Sequence, residues 1–349
     1  SSGGTNVVDW MGNATDTSFT KTGLSTTSGT AYYISVKATD NAENESTTIT
    51  SDGVIVDTGG PIAGTVFDGP GADIDWTNST SSLTATWSGF SDTLSGIQKY
   101  EYAIGTEIDS FALVNWTSAG LDTFFVESDL NLISSEIYYV FIKATDYVNN
   151  TGNISASDGI TVDLIAPLVG ELYDGSESED MDWQSSDTTL SFYWSGSDSR
   201  ELDYYQYSVG TASGDSNIVA WTSASTNTSV TLVNVELLEE QTYYGNVRAL
   251  DRAGNVSDVV SSDGITIDYT APVTGSVSDG LDEDLIFTGT ADSLSANWSG
   301  FSDSFSGIQY FEYAIGTTLQ GTDVVSWTLN NTDSAMTHNG LTLTNGSAY

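Results

Sequence analysis

The chain has 349 residues, with 48 acidic and 7 basic side chains, a formal charge of −41 and no cysteine. That balance excludes nucleic acid and anionic lipid as partners, since both need basic patches, and it favours cations. The missing cysteine excludes a disulfide framework and thiol chemistry, and no apolar run is long enough for membrane insertion in this stretch.

Low hydropathy with high net charge is also the composition of disordered chains. Here 9 Trp, 18 Tyr and 12 Phe recur in patterned positions, which points to folded domains. The opening SSGGTNVVDW and the closing NGSAY both fall in mid-repeat, so the sequence reads as a window of a longer chain. The repeat is visible in YYISVKATDNAEN from Tyr32, YYVFIKATDYVNN from Tyr138 and YYGNVRALDRAGN from Tyr243, with a fourth copy starting at Tyr349. A period of about 105 residues is too long for a solenoid and suits one domain per repeat.

Other anchors keep the same phase. They include Trp10, Trp116, Trp221 and Trp327, and the blocks TWSGFSD, YWSGSDS and NWSGFSD. YAIGT from Tyr102 recurs as YSVGT and YAIGT, SDGVIVD from Ser51 recurs as SDGITVD and SDGITID, and Pro61, Pro167 and Pro272 are in register. Boundaries set just before these prolines predict the C-terminal part of a repeat over 1–58, complete repeats over 59–163 and 164–268, and the N-terminal part of a fourth over 269–349.

Within a repeat the pattern is all-β. Short alternating or apolar runs rich in β-branched and aromatic residues lie between Gly, Asn, Asp and Ser clusters, with no helical period. About seven such runs per 100 residues predict a β-sandwich. In the first complete repeat, strand A follows Pro61, B holds Trp87, C holds Tyr102 and C′ holds Trp116. Strand E lies near Phe124–Leu130, F starts at Tyr138, and G is the ITVD run from Ile160.

Ahead of strand F, a Leu stands six residues before the Tyr in Leu132/Tyr138, Leu237/Tyr243 and Leu343/Tyr349, with Thr26 in the Leu position of the first copy. This spacing resembles the tyrosine corner of fibronectin type III and Ig-like domains. The longer pattern ATD-x-A-x-N, SDG-[VI]-x-VD and Pro resembles the tandem Ig-like repeats of large bacterial surface adhesins and fibre proteins. The resemblance implies a tandem array of Ig-like β-sandwich domains and calcium bound by Asp residues at the domain junctions.

In that topology the B–C and F–G loops share the end where the chain enters. One junction would then gather Asp57, Asp92, Asp146 and Asn150. The next would gather Asp163, Asp198, Asp251 and Asn255, with Asp68, Asp73 and Asp75 supplied by the preceding A–B segment, and a third would use Asp268 and Asp303. Ca²⁺ takes six to eight oxygen ligands, which such an inventory supplies. The other reading makes the same acids, with Asp40 and Asn44 of the first copy, caps of loops through Asx-turns, or a salt-adapted surface.

Trp87, Trp194 and Trp298 are expected in the core, and Trp10 with its three equivalents partly exposed, where a sugar platform would sit. Carboxylate pairs for glycoside hydrolysis carry little information in so acidic a chain, and His338, the single histidine, falls in a polar stretch. No nucleophile-elbow or phosphate-loop pattern occurs, so no catalytic role is expected. Asparagine falls in N-x-[ST] sequons at Asn13, Asn44, Asn78, Asn115, Asn149, Asn153, Asn227, Asn255, Asn297, Asn330 and Asn345, candidates for glycosylation. The leading expectation is a bacterial, extracellular cell-surface stalk or filament, stiffened by calcium. Its partners are neighbouring repeats, copies of itself, or a surface glycan or protein receptor. The alternatives are a glycan- or protein-binding repeat and an accessory region of a secreted enzyme.

Overall fold

The computed structural model describes residues 7–107, 111–176, 179–198 and 200–349. The first six residues of the opening stretch and Ser199 of the YWSGSDS block lie outside the described residues. The chain forms two compact units, one of Ser1–Ile165 with Arg252–Asn255 and the other of Ala166–Asp251 with Val256–Tyr349. Every helix or strand element among the described residues is a β-strand.

The first unit opens with four short strands. Of these, β1 (Ala31–Tyr32) pairs β4 (Val54–Ile55), and β2 (Ser35–Val36) pairs β3 (Ile49–Thr50), both antiparallel. A two-sheet sandwich follows. It is built from β5 (Thr65–Asp68), β6 (Trp76–Thr77), β7 (Leu83–Ser88), β8 (Ile97–Gly105), β9 (Val114–Gly120), β10 (Phe124–Glu127), β11 (Ile137–Asp146), β12 (Ser155–Ala156) and β13 (Ile160–Val162). One sheet runs β10-β7-β5 and the other β6-β13-β11-β8-β9, with β12 added on β11. All pairs are antiparallel except β13 with β6. The strands stand where the sequence predicts A, B, C, C′, E, F and G.

The second unit repeats this order with β14 (Leu168–Ser176), β15 (Glu179–Asp180), β16 (Trp183–Gln184), β17 (Thr189–Ser197), β18 (Leu202–Gly210), β19 (Val219–Ser225), β20 (Ser229–Val233), β21 (Thr242–Asp251), β22 (Val260–Ser261) and β23 (Ile265–Ile267). Its sheets run β15-β14-β17-β20 and β16-β23-β21-β18-β19. It continues through β24 (Ser276–Asp279), β25 (Ser293–Ser299), β26 (Glu312–Ile315), β27 (Val325–Leu329) and β28 (Ala335–Asn339), paired as β24-β25-β28 and β26-β27.

The alternation along β7 and β17 sends one tryptophan into each core. Trp87 meets Tyr100 edge-on at 5.7 Å between ring centroids, and Trp194 meets Tyr205 at 5.9 Å. Trp298 meets Phe311 in the same way at 5.5 Å. Such contacts add roughly 0.5–1.5 kcal/mol to the burial itself. Each tyrosine corner closes. Tyr138 accepts the Ile133 N–H at 2.9 Å, Tyr243 the Leu238 N–H at 2.8 Å and Tyr349 the Thr344 N–H at 2.7 Å. Tyr32 accepts the Thr27 N–H at 2.9 Å although Thr26 replaces the leucine, because the bond needs the backbone turn and not the apolar side chain.

Candidate cation sites

Two kinds of acid cluster emerge, and they differ in chemistry. The first lies where the segment after β4 meets the loops of the following sandwich. Carboxylate oxygens of Asp57, Asp92 and Asp146 lie within 4.8 Å of one another. Asp92 Oδ1 accepts the N–H groups of Leu94, Ser95 and Gly96 at 2.8–3.0 Å, and Ser95 N–H also reaches Asp57 Oδ2 at 3.2 Å. Asp146 Oδ1 accepts Val148 and Asn150 N–H, and its Oδ2 accepts the Asn150 side-chain amide at 2.8 Å. That amide also donates to the carbonyls of Asp57 and Gly59. Burial pushes the Asp146 carboxyl up, but the Asn150 and Val148 donors outweigh it and hold the group below its usual range.

The linker is clamped at this point. A Cβ on Gly60 would stand 2.5 Å from the Thr151 carbonyl oxygen, and one on Gly152 would stand 2.2 Å from that of Pro61. Only glycine lets the two backbones approach so closely. The Asp–Asn pair repeats as Asp40 and Asn44, where Asp40 accepts Ala42 and Asn44 N–H and the Asn44 amide. The loop-cap reading therefore describes part of what these acids do.

The second cluster lies inside a sandwich. Asp68 ends β5, Asp73 sits in the turn that follows, and Asp158 stands in the SDG block before β13; their carboxylate oxygens come within 4.8 Å. Asp174, Asp180 and Asp263 repeat the arrangement. Asp68 and Asp174 are 0% exposed. One oxygen of each accepts a backbone N–H, from Gly159 at 3.1 Å and from Gly264 at 2.8 Å. The other oxygen, Oδ1, is buried with no hydrogen-bond partner among the described residues in either copy. Asp73 and Asp180 fold back to accept the N–H of Asp68 and Asp174 at 2.7 and 3.0 Å. Burial raises both inner carboxyls to about 7, against the lowering effect of Ser157 and Gly159, or of Ser262 and Gly264.

The sequence reading sent Asp68, Asp73 and Asp75 to a junction. In the structure Asp68 and Asp73 gather with Asp158 of their own sandwich, and Asp75 is exposed outside that cluster. Asp158 and Asp263 were missed as site residues, although the recurring SDG block contained them. In the first unit Asp163 is buried, its Oδ1 accepts Ile165 N–H, and its carbonyl accepts the Asn255 amide at 2.9 Å. In the second, Asp251 is buried and Asp198 Oδ1 accepts Arg200 N–H at 2.7 Å. Asp268 and Asp303 come together as Asp57 and Asp92 do. Ser306 N–H reaches Asp268 Oδ2, and Asp303 Oδ1 accepts Phe305 and Gly307 N–H. Among the sequons, Asn13, Asn297 and Asn330 donate their amides to backbone carbonyls, whereas Asn78, Asn115, Asn153 and Asn227 are exposed.

The surface tryptophans carry a feature the sequence reading missed. Lys143 Nζ stands 4.1 Å from the Trp116 ring centroid, Arg248 Cζ 4.4 Å from Trp221, and Lys37 Nζ 5.2 Å from Trp10. The signal was present, since these three cations share one phase of the repeat just as the tryptophans do.

No family model matches the sequence. Among curated proteins the chain is 27% identical over 284 residues to Exoglucanase B of Cellulomonas fimi, covering 76% of this chain and 22% of that protein. Among solved structures, the chicken CNTN1 FN1-FN3 domains align with a TM-score of 0.36 and 19% identity, over 66% of this chain and 76% of theirs. A structure of a 1.5-MDa bacterial ice-binding adhesin aligns with a TM-score of 0.35 and 18% identity, over 68% and 74%. The Ig-like sandwich assignment stands on the strand order, the core tryptophans and the tyrosine corners.

Proposed function

We propose that this chain is a non-enzymatic, extracellular spacer of tandem β-sandwiches whose linkers are stiffened by calcium, serving a cell-surface stalk or fibre that supports adhesion. The observation that carries this reading is the Asp57, Asp92 and Asp146 cluster. Three carboxylates meet on the clamped linker, and Asn150 ties the same loop to two linker carbonyls. A hard divalent cation accepts such oxygens and relieves their repulsion. Differential scanning calorimetry of the 349-residue chain tests this, with calcium and with excess chelator at fixed ionic strength. A calcium-specific rise in Tm is expected, because binding to the folded state stabilises it by mass action. The rise should shrink in Asp57→Asn/Asp146→Asn. An unchanged Tm in wild type, with scattering that reports a flexible chain in both conditions, retires the calcium-stiffened spacer.

A second reading is favoured by the likeness to Exoglucanase B. Here the same spacer is an accessory region of a secreted polysaccharide-acting enzyme. Its test is pull-down of the chain with insoluble cellulose and other glycans. Retention would move the function from spacing to binding.

A further inference from the structure

We propose that each complete sandwich holds a second divalent-cation site in its interior, distinct from the linker cluster. The ligands are Asp68, Asp73 and Asp158 in one sandwich and Asp174, Asp180 and Asp263 in the other. In both, the Asp–Gly pair at the end of the first strand of the sandwich faces the SDG block that leads into its last strand.

The inference stands on an unfilled valence and not on acidity alone. Asp68 and Asp174 are fully buried, and each leaves Oδ1 without a partner among the described residues while its second oxygen is bonded. Buried polar atoms in native proteins are nearly always satisfied, and an unpaired buried carboxylate oxygen is costly. The same atom is left open in two sandwiches of different sequence, which marks it as a property of the architecture. Both clusters converge within 4.8 Å, a span that one ion bridges at about 2.4 Å from each oxygen.

Three further observations fit an incoming cation. Lys37 pairs with Glu45, and Lys99 and Lys143 pair with Glu101, so these three lysines are engaged away from the clusters. The outer ligands are accessible, since Asp73, Asp158, Asp180 and Asp263 are exposed, and a groove lined by Glu171, Tyr173, Asp180, Ser261 and Asp263 opens at the second cluster. The turn is also shaped to bring the acids together. Gly69 and Gly175 have φ of +99° and +112°, and a Cβ on Gly175 would stand 2.8 Å from the Glu179 carbonyl oxygen. An all-oxygen set suits Ca²⁺ better than Mg²⁺, which demands near-ideal octahedral geometry.

Asp279 and Asp284 reproduce the turn, with Asp284 Oδ1 accepting Asp279 N–H at 2.9 Å.

This inference does not rest on the linker reading, and the experiment separates them. Equilibrium dialysis with ⁴⁵Ca²⁺ and calorimetric titration with CaCl₂ are run on the 349-residue chain in excess KCl, which suppresses diffuse counterion binding. Asp158→Asn/Asp263→Asn alters only exposed side chains, so the fold survives, as circular dichroism would verify. This variant should lose the two interior ions or bind them at least tenfold more weakly. Asp68→Asn/Asp174→Asn should do the same, and Asp57→Asn/Asp146→Asn should leave both ions bound. Wild-type stoichiometry and affinity in the folded Asp158→Asn/Asp263→Asn variant would overturn the proposal, whatever becomes of the linker ion.

Discussion

The linker cluster and the interior cluster each bring three aspartate carboxylates within 4.8 Å of one another, yet the fold treats them in opposite ways. Around Asp57, Asp92 and Asp146 the loops turn N–H groups inward, three of them onto one oxygen of Asp92. Around Asp68 and Asp174 the glycine of each SDG block supplies one backbone N–H, and the second oxygen is left bare. The first arrangement holds the Asp146 carboxylate ionised, and the second resists ionisation of Asp68 and Asp174. Acid count alone therefore says nothing about how strongly a site needs a cation; the donors already present decide it.

The largest expected consequence is a difference in pH dependence. In chelator, Asp68 and Asp174 keep their protons in the folded state to about pH 7, while in the unfolded chain they ionise near 3.8. Raising the pH between these values favours the unfolded state. Stability should fall over that window and level off above about 7, by at most about 4 kcal/mol per acid. Asp146 has the opposite sign. Its folded pKa is depressed, so its contribution is present above the unfolded value and is lost as pH falls through the folded one. Urea unfolding across the range, with and without Asp68→Asn/Asp174→Asn, measures this. A slope in that window that the variant fails to flatten would show that the interior acids are not its source.

A smaller effect isolates the linker. Gly152→Ala places a methyl against the Pro61 carbonyl, where no space exists. The expected cost is about 1–3 kcal/mol of overpacking strain, localised to the clamp. The variant should lose the linker's share of the calcium-dependent Tm rise and keep the interior ions seen in dialysis. Loss of both together would mean that the clusters act as one cooperative system.

Much of this architecture was legible. The period, the core tryptophans and the Leu-to-Tyr spacing are local patterns, and each maps to one strand or one turn. Thr26 shows where the pattern was stricter than the physics, since the corner forms without the leucine. The grouping of Asp57, Asp92, Asp146 and Asn150 was also readable, because it follows from which loops share an end of the sandwich. Asp68 was misplaced for a different reason. Its turn folds back onto the SDG block of its own sandwich, about 90 residues later in the chain, and neither residue carries a local sign of the other. Burial of Asp68 was equally hidden, since an Asp–Gly pair normally reads as an exposed turn.

The smallest prediction concerns where the chain places its few cations. Lys37, Lys143 and Arg248 stand over tryptophan rings and not beside either acid cluster, although 48 acidic residues compete for 7 basic ones. Long cationic side chains cover apolar rings with their stems, so the placement shields Trp116 and Trp221 without bringing Lys143 or Arg248 to either acid cluster. It also weakens the case for a sugar platform, because the ring face that a sugar would stack on already carries a cation. Lys143→Gln should cost only about 0.5–1 kcal/mol, measured by a double-mutant cycle with Trp116→Leu. It should leave both calcium responses intact and increase quenching of Trp116 fluorescence by acrylamide. If the variant instead gains affinity for a glycan, the cation is a gate on a binding face, and the acid clusters are the scaffold that presents it.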